Sequence, residues 1–335
     1  MNSKSLVRLL LGALLAVLFT WLIVRQIDWH GLVAALAATQ YAWVLAALGA
    51  FCVGYSCRIA RWRSMLAKDV PGISWFTCAG PLLASFAANN VLPFRAGDVL
   101  RAFAFNSRLG TTSGTVLATL FVERLLDLLM VLVLLGAALT AFSLNAASFA
   151  GVGAGFLFAL ALAIFGVLVF PQAFSPVARG VTALIAHFAP GIGEKLRAEV
   201  NKGLATLAHL AKGGSMLRLV GWSLTAWLAE GFVFYFAGLA LPDLIAPQAG
   251  WLALPVGTLA TLIPSTPGYV GTFDYFTVHA MTALANSTVA ATAFALVVHL
   301  LLWLPPTILG GLYLVVNPLA RDIRAAKEQE REEEQ

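Results

Sequence analysis

The residues with chemical potential in this sequence are arginines, carboxylates and amides embedded in long apolar runs. Glu123-Arg124-x-x-Asp127 sets two carboxylates four residues apart, on one face of a helix, with a base between them. Arg58, Arg61 and Arg63 close an apolar run, and Arg63 reads as an anchor at the membrane surface. A Pro/Gly-broken stretch offers Asn89, Asn90, Arg95, Asp98 and Arg101 around Pro93 and Gly97. A second broken stretch offers Ser265, Thr266, Tyr269, Thr272 and Asp274 around Pro264, Pro267, Gly268 and Gly271. Arginine suits bidentate binding of phosphate. Arg58, Arg61, Arg95, Arg101 and Arg124 are therefore expected to line a basic pocket for an anionic lipid headgroup. Glu123 and Asp127 fit either ligand contact or ion pairing with Arg124, Arg95 or Arg101. Glu230 lies mid-run with no base near it in sequence, so it pairs with a base from another helix or is protonated by desolvation. A proton-coupling role is open to Glu230, Asp274, Glu123 and Asp127. His299 reads as an intramembrane histidine bonded to a neighbouring helix, with a relay as the alternative.

Such residues need elements that hold them in hydrocarbon. Sixty per cent of the 335 residues are hydrophobic, 11% are charged, and the mean hydropathy is +0.86. A soluble domain carries about 25% charged residues, so a large soluble α/β enzyme is a poor alternative and an all-α polytopic membrane protein is expected. Six runs reach the roughly 20 apolar residues of a span: 5–25, 41–64, 113–142, 150–170, 216–240 and 289–316. The run at 5–25 lacks a small-x-small cleavage site and reads as a retained span, not a signal peptide. The net charge is +5, and six of the sixteen acidic residues lie in the last fifteen positions, so the basic excess belongs to the membrane part. Cys52, Cys57 and Cys78 sit in apolar surroundings with no C-x-x-C, which reads as neither disulfide nor metal site. No metal motif, cofactor loop or nucleic-acid signature is present.

Lysine and arginine set the orientation. Lys4 and Arg8 place the N-terminus in the cytoplasm. Arg58 to Lys68, the connection 173–215 and the tail 321–335 are also cytoplasmic, while 26–40, 143–149 and 241–250 lie outside. The segment 173–215 carries apolar residues from Val181 to Leu210 at helical spacing, as an amphipathic helix on the inner leaflet does. On this reckoning the broken stretches 74–107 and 251–285 each return to the side they started from. Each reads as a re-entrant hairpin, the alternative being a kinked span. The order span, span, hairpin, span then occurs twice, in 1–142 and 143–320, with opposite orientation. That is the inverted repeat of many transporters. Both tips carry P-x-x-x-G, at Pro93–Gly97 and Pro264–Gly268, and are expected to face a shared polar cavity.

These features resemble the transmembrane region of lysylphosphatidylglycerol synthases and the stand-alone flippase-like proteins related to it. The matching pieces are Arg58-x-x-Arg61-Trp62, Asn89-Asn90-x-x-Pro93-x-Arg95-x-Gly97-Asp98-x-x-Arg101, Glu123-Arg124-x-x-Asp127 and Pro264-x-x-Pro267-Gly268-x-x-Gly271-x-Phe273. The family often has Glu where this chain has Asp98, and Glu near Asp274. The resemblance implies a lipid-translocating membrane domain in a bacterial cytoplasmic (inner) membrane, with both termini inside. The aminoacyl-transferase domain of two-domain members has no counterpart here, so that activity is expected to be absent. A membrane lipid is the expected ligand, with lipid-biosynthesis enzymes as candidate partners. An intramembrane lipid-phosphate transferase or hydrolase, and a scaffold for a lipid pathway, are the competing readings.

Overall fold

The structure is a computed structural model that describes residues 29–92, 95–144, 153–176, 179–180, 182–183, 190–263 and 267–317. The expected first span 5–25, the tail 321–335, and Pro93, Pro264, Ser265 and Thr266 lie outside the described residues. Among the described residues there are twelve α-helices and no strand. In chain order they are α1 (Trp29–Ala37), α2 (Tyr41–Leu66), α3 (Trp75–Val91), α4 (Ala96–Phe103), α5 (Asn106–Leu109) and α6 (Ser113–Ala141), then α7 (Ala154–Val169), α8 (Pro190–Ala211), α9 (Ser215–Leu239), α10 (Gly250–Ala260), α11 (Thr272–Thr282) and α12 (Thr288–Val316).

Local sequence explains where several helices begin. Ser74 caps α3 by accepting from Thr77 N–H at 3.0 Å, Thr112 caps α6 from Thr115 at 3.3 Å, and Ser287 caps α12 from Ala290 at 3.2 Å. Helices α2, α9 and α12 are long and apolar enough to cross a membrane. Helix α6 runs 29 residues, but Glu123, Arg124 and Asp127 interrupt its apolar character.

Helices α2 and α9 pack along each other in antiparallel fashion. At one end Gln40 N–H donates to the Ala240 carbonyl at 2.8 Å; at the other Lys68 Nζ donates to the Lys212 carbonyl at 3.1 Å. The latter end collects basic residues. His209 meets Asp69 there at 3.3 Å, joining α8 to the end of α2.

The two broken stretches double back. A Cβ on Gly97 would collide with the carbonyl oxygen of Ser85 and crowd Asn89, so α4 lies directly on α3. Gly257 of α10 likewise faces Phe273 and Thr277 of α11. Residues twelve to twenty apart in one kinked helix stand roughly 18–30 Å apart, so each stretch is a helical hairpin. At 17 and 8 residues, and at 11 and 11, the limbs reach about 26 and 12 Å, and about 17 Å each. None matches the roughly 30 Å of a hydrocarbon core.

Polarity is arranged inside out. Leu45, Leu162, Leu300 and Val315 are exposed, whereas Arg61, Arg101 and Glu123 are 1%, 0% and 2% exposed. Water would reverse this order, and a bilayer favours it. The chain is an all-helical membrane protein.

Candidate functional site

Helices α2, α4, α6 and α9 bring the arginines and carboxylates together. Arg101 of α4 donates to both oxygens of Glu123 on α6, at 3.1 and 3.2 Å. Arg61 of α2 donates to Asp127 at 2.8 Å and to Ser223 Oγ of α9 at 2.9 Å. Arg58, one turn earlier, pairs with Glu230 of α9. Arg124 bridges Asp98, Glu123 and Asp127 at 3.4, 3.4 and 3.6 Å. Asn89 supports Asp98 from α3 at 3.0 Å, and Trp227 Nε1 donates to Asp127 at 3.2 Å. Trp62 is fully buried, bonds Thr119 at 3.0 Å, and lies 5.0 Å beneath the Arg101 guanidinium. Burying these charges is tolerable because each guanidinium meets a carboxylate.

The hairpin tips meet beside this network. Arg95 Nε donates to Tyr269 Oη at 3.2 Å. Asn90 donates to the Trp303 carbonyl at 3.2 Å and to Thr307 at 2.8 Å, and Trp303 Nε1 returns a bond to the Asn90 carbonyl at 3.3 Å. Arg95 and Tyr269 both hold left-handed backbone, at φ 53° and 59°. Such conformations cost about 1–3 kcal/mol each and cluster at functional sites. Gly268 also has positive φ, and a side chain there would press on Trp303 and Asn90. The shared P-x-x-x-G pattern therefore serves two local purposes: Gly97 permits helix contact, and Gly268 permits a left-handed turn.

Between the tips and the network lies a cavity of about 540 Å³. Arg58, Asn90, Arg95, Arg124, Asp127, Glu230, Gly268 and His299 line it, together with Tyr55, Phe86, Trp227, Tyr269, Phe273 and Trp303. Its wall is largely apolar, and both hairpins contribute. Among the described residues, Arg95 is the arginine on this wall without a carboxylate partner.

The five-arginine pocket expected from sequence needs correction. Arg58, Arg95 and Arg124 reach the wall, whereas Arg61 and Arg101 are buried beneath it and held by carboxylates. Asn89, Asp98 and Glu123 are likewise absent from the cavity wall: Glu123 is buried, while Asn89 and Asp98 are half-buried where α3, α4 and α6 meet. Of the two fates expected for Glu230, the structure shows the pairing: α9 carries it to Arg58, a base from another helix. Asp274 accepts from Gly271 N–H at 2.9 Å, capping α11, and meets His299 Nδ1 at 2.7 Å. Pro267 opens the short turn Pro267–Tyr269 between these elements.

Sequence reasoning passed over Tyr55, Phe86, Trp227 and Trp303. A signal existed for three of them. Tyr55 and Arg58, Trp227 and Glu230, and His299 and Trp303 stand three or four residues apart, and so share helix faces with ionisable residues.

Two curated proteins are similar to this chain. One is named "Glycosyltransferase AglD", from Haloferax volcanii, 28% identical over 339 residues that cover 91% of this chain and 53% of that protein. The chain thus spans about half the length of this relative. The other is "UPF0104 membrane protein MJ1078", from Methanocaldococcus jannaschii, 24% identical over 56% of this chain and 75% of that protein. The family model described as "Lysylphosphatidylglycerol synthase TM region" matches residues 9–310, and the chain belongs to that family.

Proposed function

We propose that this protein moves an anionic or amphiphilic phospho- or glycolipid between the leaflets of a cytoplasmic membrane. The observation that carries the reading is the cavity between the two hairpin tips, with largely apolar walls and one guanidinium, Arg95, that meets no carboxylate among the described residues. An anionic headgroup would complete Arg95, with Arg124 and Asn90 within the same cavity, while its chains stay against apolar surface. Six spans and two re-entrant hairpins fit this role, with the first repeat at 1–142, the second at 143–320 and both termini cytoplasmic.

Paired packing supports the repeat. Helices α2 and α9, equivalent in the two halves, pack on each other. Helix α3 packs on α12 as α10 packs on α6, and α4 on α6 as α11 on α12. Equivalent contacts on both sides of one axis are what an inverted repeat predicts, and rocking of the halves about it would open the cavity alternately.

The test is transfer of fluorescently headgroup-labelled phosphatidylglycerol across vesicles holding purified protein, read by quencher accessibility. Wild type should expose the label, and Arg95→Ala should slow transfer about tenfold or more, the scale of one charge-assisted hydrogen bond. Transfer by Arg95→Ala and Arg124→Ala at the wild-type rate would mean that the site lies elsewhere.

A second reading follows from the relative named as a glycosyltransferase: chemistry on a lipid-linked sugar, or a glycosylated lipid as cargo. For chemistry, Glu123 and Asp127 are poorly placed as acid or base, since guanidiniums occupy both. Product formation from a lipid-linked sugar by the purified protein would favour that reading. A lipid-pathway scaffold would instead tolerate cavity substitutions and fail on changes in 173–215.

A further inference from the structure

Five carboxylates lie in or beside the cavity, and four of them sit against arginine. Asp98 and Glu123 meet Arg101 and Arg124, Asp127 meets Arg61, and Glu230 meets Arg58. A guanidinium does not release its proton, so none of these four has a partner that titrates in the neutral range. Asp274 differs. Its Oδ2 accepts from Gly271 N–H, and its Oδ1 meets His299 Nδ1 at 2.7 Å. Its ionic partner is a side chain that itself gains and loses a proton in the neutral range.

His299 presents this pair to the cavity. Because the carboxylate accepts, Nδ1 carries a proton, which leaves Nε2 as the free site of the imidazole. His299 lines the cavity, and Nε2 has no hydrogen-bond partner among the described residues. The edge of the Phe273 ring packs on the imidazole at 5.4 Å and helps fix its plane. From the elements packed against α12, the charged and titratable groups facing the cavity are Tyr55, Arg58, Glu230 and, at the tips, Arg95 and Tyr269, while Asp274 meets the imidazole from behind the cavity wall. Across the cavity α6 presents Arg124 and Asp127, already paired with each other.

Charge balance gives the pair a purpose. The cavity and the layer beneath it hold five guanidiniums, from Arg58, Arg61, Arg95, Arg101 and Arg124. They also hold five carboxylates, from Asp98, Glu123, Asp127, Glu230 and Asp274. With neutral His299 the set sums to zero, so a monoanionic phosphodiester would add one uncompensated charge inside the membrane. One proton on His299 Nε2 removes it.

Resting on the transport reading above, we propose that His299 is the proton-binding group of the cavity, with Asp274 as its positioning residue, and that one proton accompanies each anionic headgroup. The proton joins Nε2 from the water-filled side and leaves to water on the other. Asp274 stays hydrogen-bonded to Nδ1 throughout.

Two measurements decide this. In protein labelled with ¹⁵N-histidine in lipid nanodiscs, the resonance absent from His299→Gln should show an Nδ1-protonated ring at pH 8 and take up a second proton as the pH falls to 5. Asp274→Asn should move that uptake to lower pH, since the stabilising anion is gone. A ring that stays neutral across this range would overturn the proposal, whatever the protein transports. In vesicles, labelled phosphatidylglycerol should cross at least threefold faster under one polarity of an imposed pH gradient than under the other. In His299→Gln that ratio should fall to one, whatever the absolute rate. A ratio of one in wild type, or an unchanged ratio in His299→Gln, would overturn coupling while leaving transport intact. Absence of transfer under every gradient would reject the transport reading itself and, with it, coupling to a moving headgroup.

Discussion

Arg61 and Arg101 are as buried as the leucines around them, and each touches a carboxylate presented by α6. Their task differs from that of Arg95, which reaches the cavity and bonds a phenol. The difference is measurable. Replacing one partner of a buried pair leaves the other charge uncompensated, at a cost of about 3–5 kcal/mol. Glu123→Gln should therefore lower the Tm of the detergent-solubilised protein substantially. The double replacement Arg101→Met with Glu123→Leu should cost less than the single one, because no lone charge remains. Arg95→Gln should leave thermal stability within about 0.5 kcal/mol, even as labelled phosphatidylglycerol binding weakens. Equal Tm losses in Glu123→Gln and Arg95→Gln would remove the distinction between the buried network and the cavity wall.

At the scale of elements, the hairpins are held by close approach. Gly97→Ala drives a methyl group into the Ser85 carbonyl, and backbone cannot move aside as a flexible side chain can. Opening α3 from α4 would also pull Arg101 from Glu123 and Asn89 from Asp98. Gly49, on α2, has open space where a Cβ would stand. Gly97→Ala should thus reduce the yield of monodisperse protein or its Tm by a cost of about 1–3 kcal/mol, while Gly49→Ala is neutral or slightly stabilising. Size-exclusion profiles and melting curves of the two variants provide the check. The hydrophobic pattern could not reveal this packing, because α3 and α4 together are as apolar as one interrupted span. What separates a hairpin from a kinked span is which residues touch across the break.

For the whole molecule, the proposed topology sorts the flanks of the hairpins to opposite sides. In a cysteine-free background, Pro71→Cys and Thr112→Cys flank the first hairpin and should react with a membrane-impermeant thiol reagent from the cytoplasmic side. Asp243→Cys and Ser287→Cys flank the second and should react from the other side. Labelling of Pro71→Cys and Thr112→Cys from opposite faces would convert the first hairpin into a crossing segment and dismantle the repeat. The basic end of the bundle, with Lys68 beside Lys212, gives the orientation a physical marker.

The sequence by itself determined the solvent of this protein. Sixty per cent apolar residues, gathered in runs of about 20, call for helices in a bilayer, since a helix satisfies its backbone within one segment. It also determined which side chains were out of place there: Arg58, Glu123, Asp127, Glu230 and His299 are conspicuous against such a background. Tertiary structure decided their partners. Arg58 and Glu230 lie 172 positions apart, and Arg95 and Tyr269 lie 174 apart. Spacing along a helix fixes only the face a residue occupies, and not what that face meets. Whether an arginine is a buried tie, like Arg101, or an open cation on a cavity wall, like Arg95, depends on how many carboxylates other helices deliver to it. Only the packing of the two hairpins against α6, α9 and α12 sets that number.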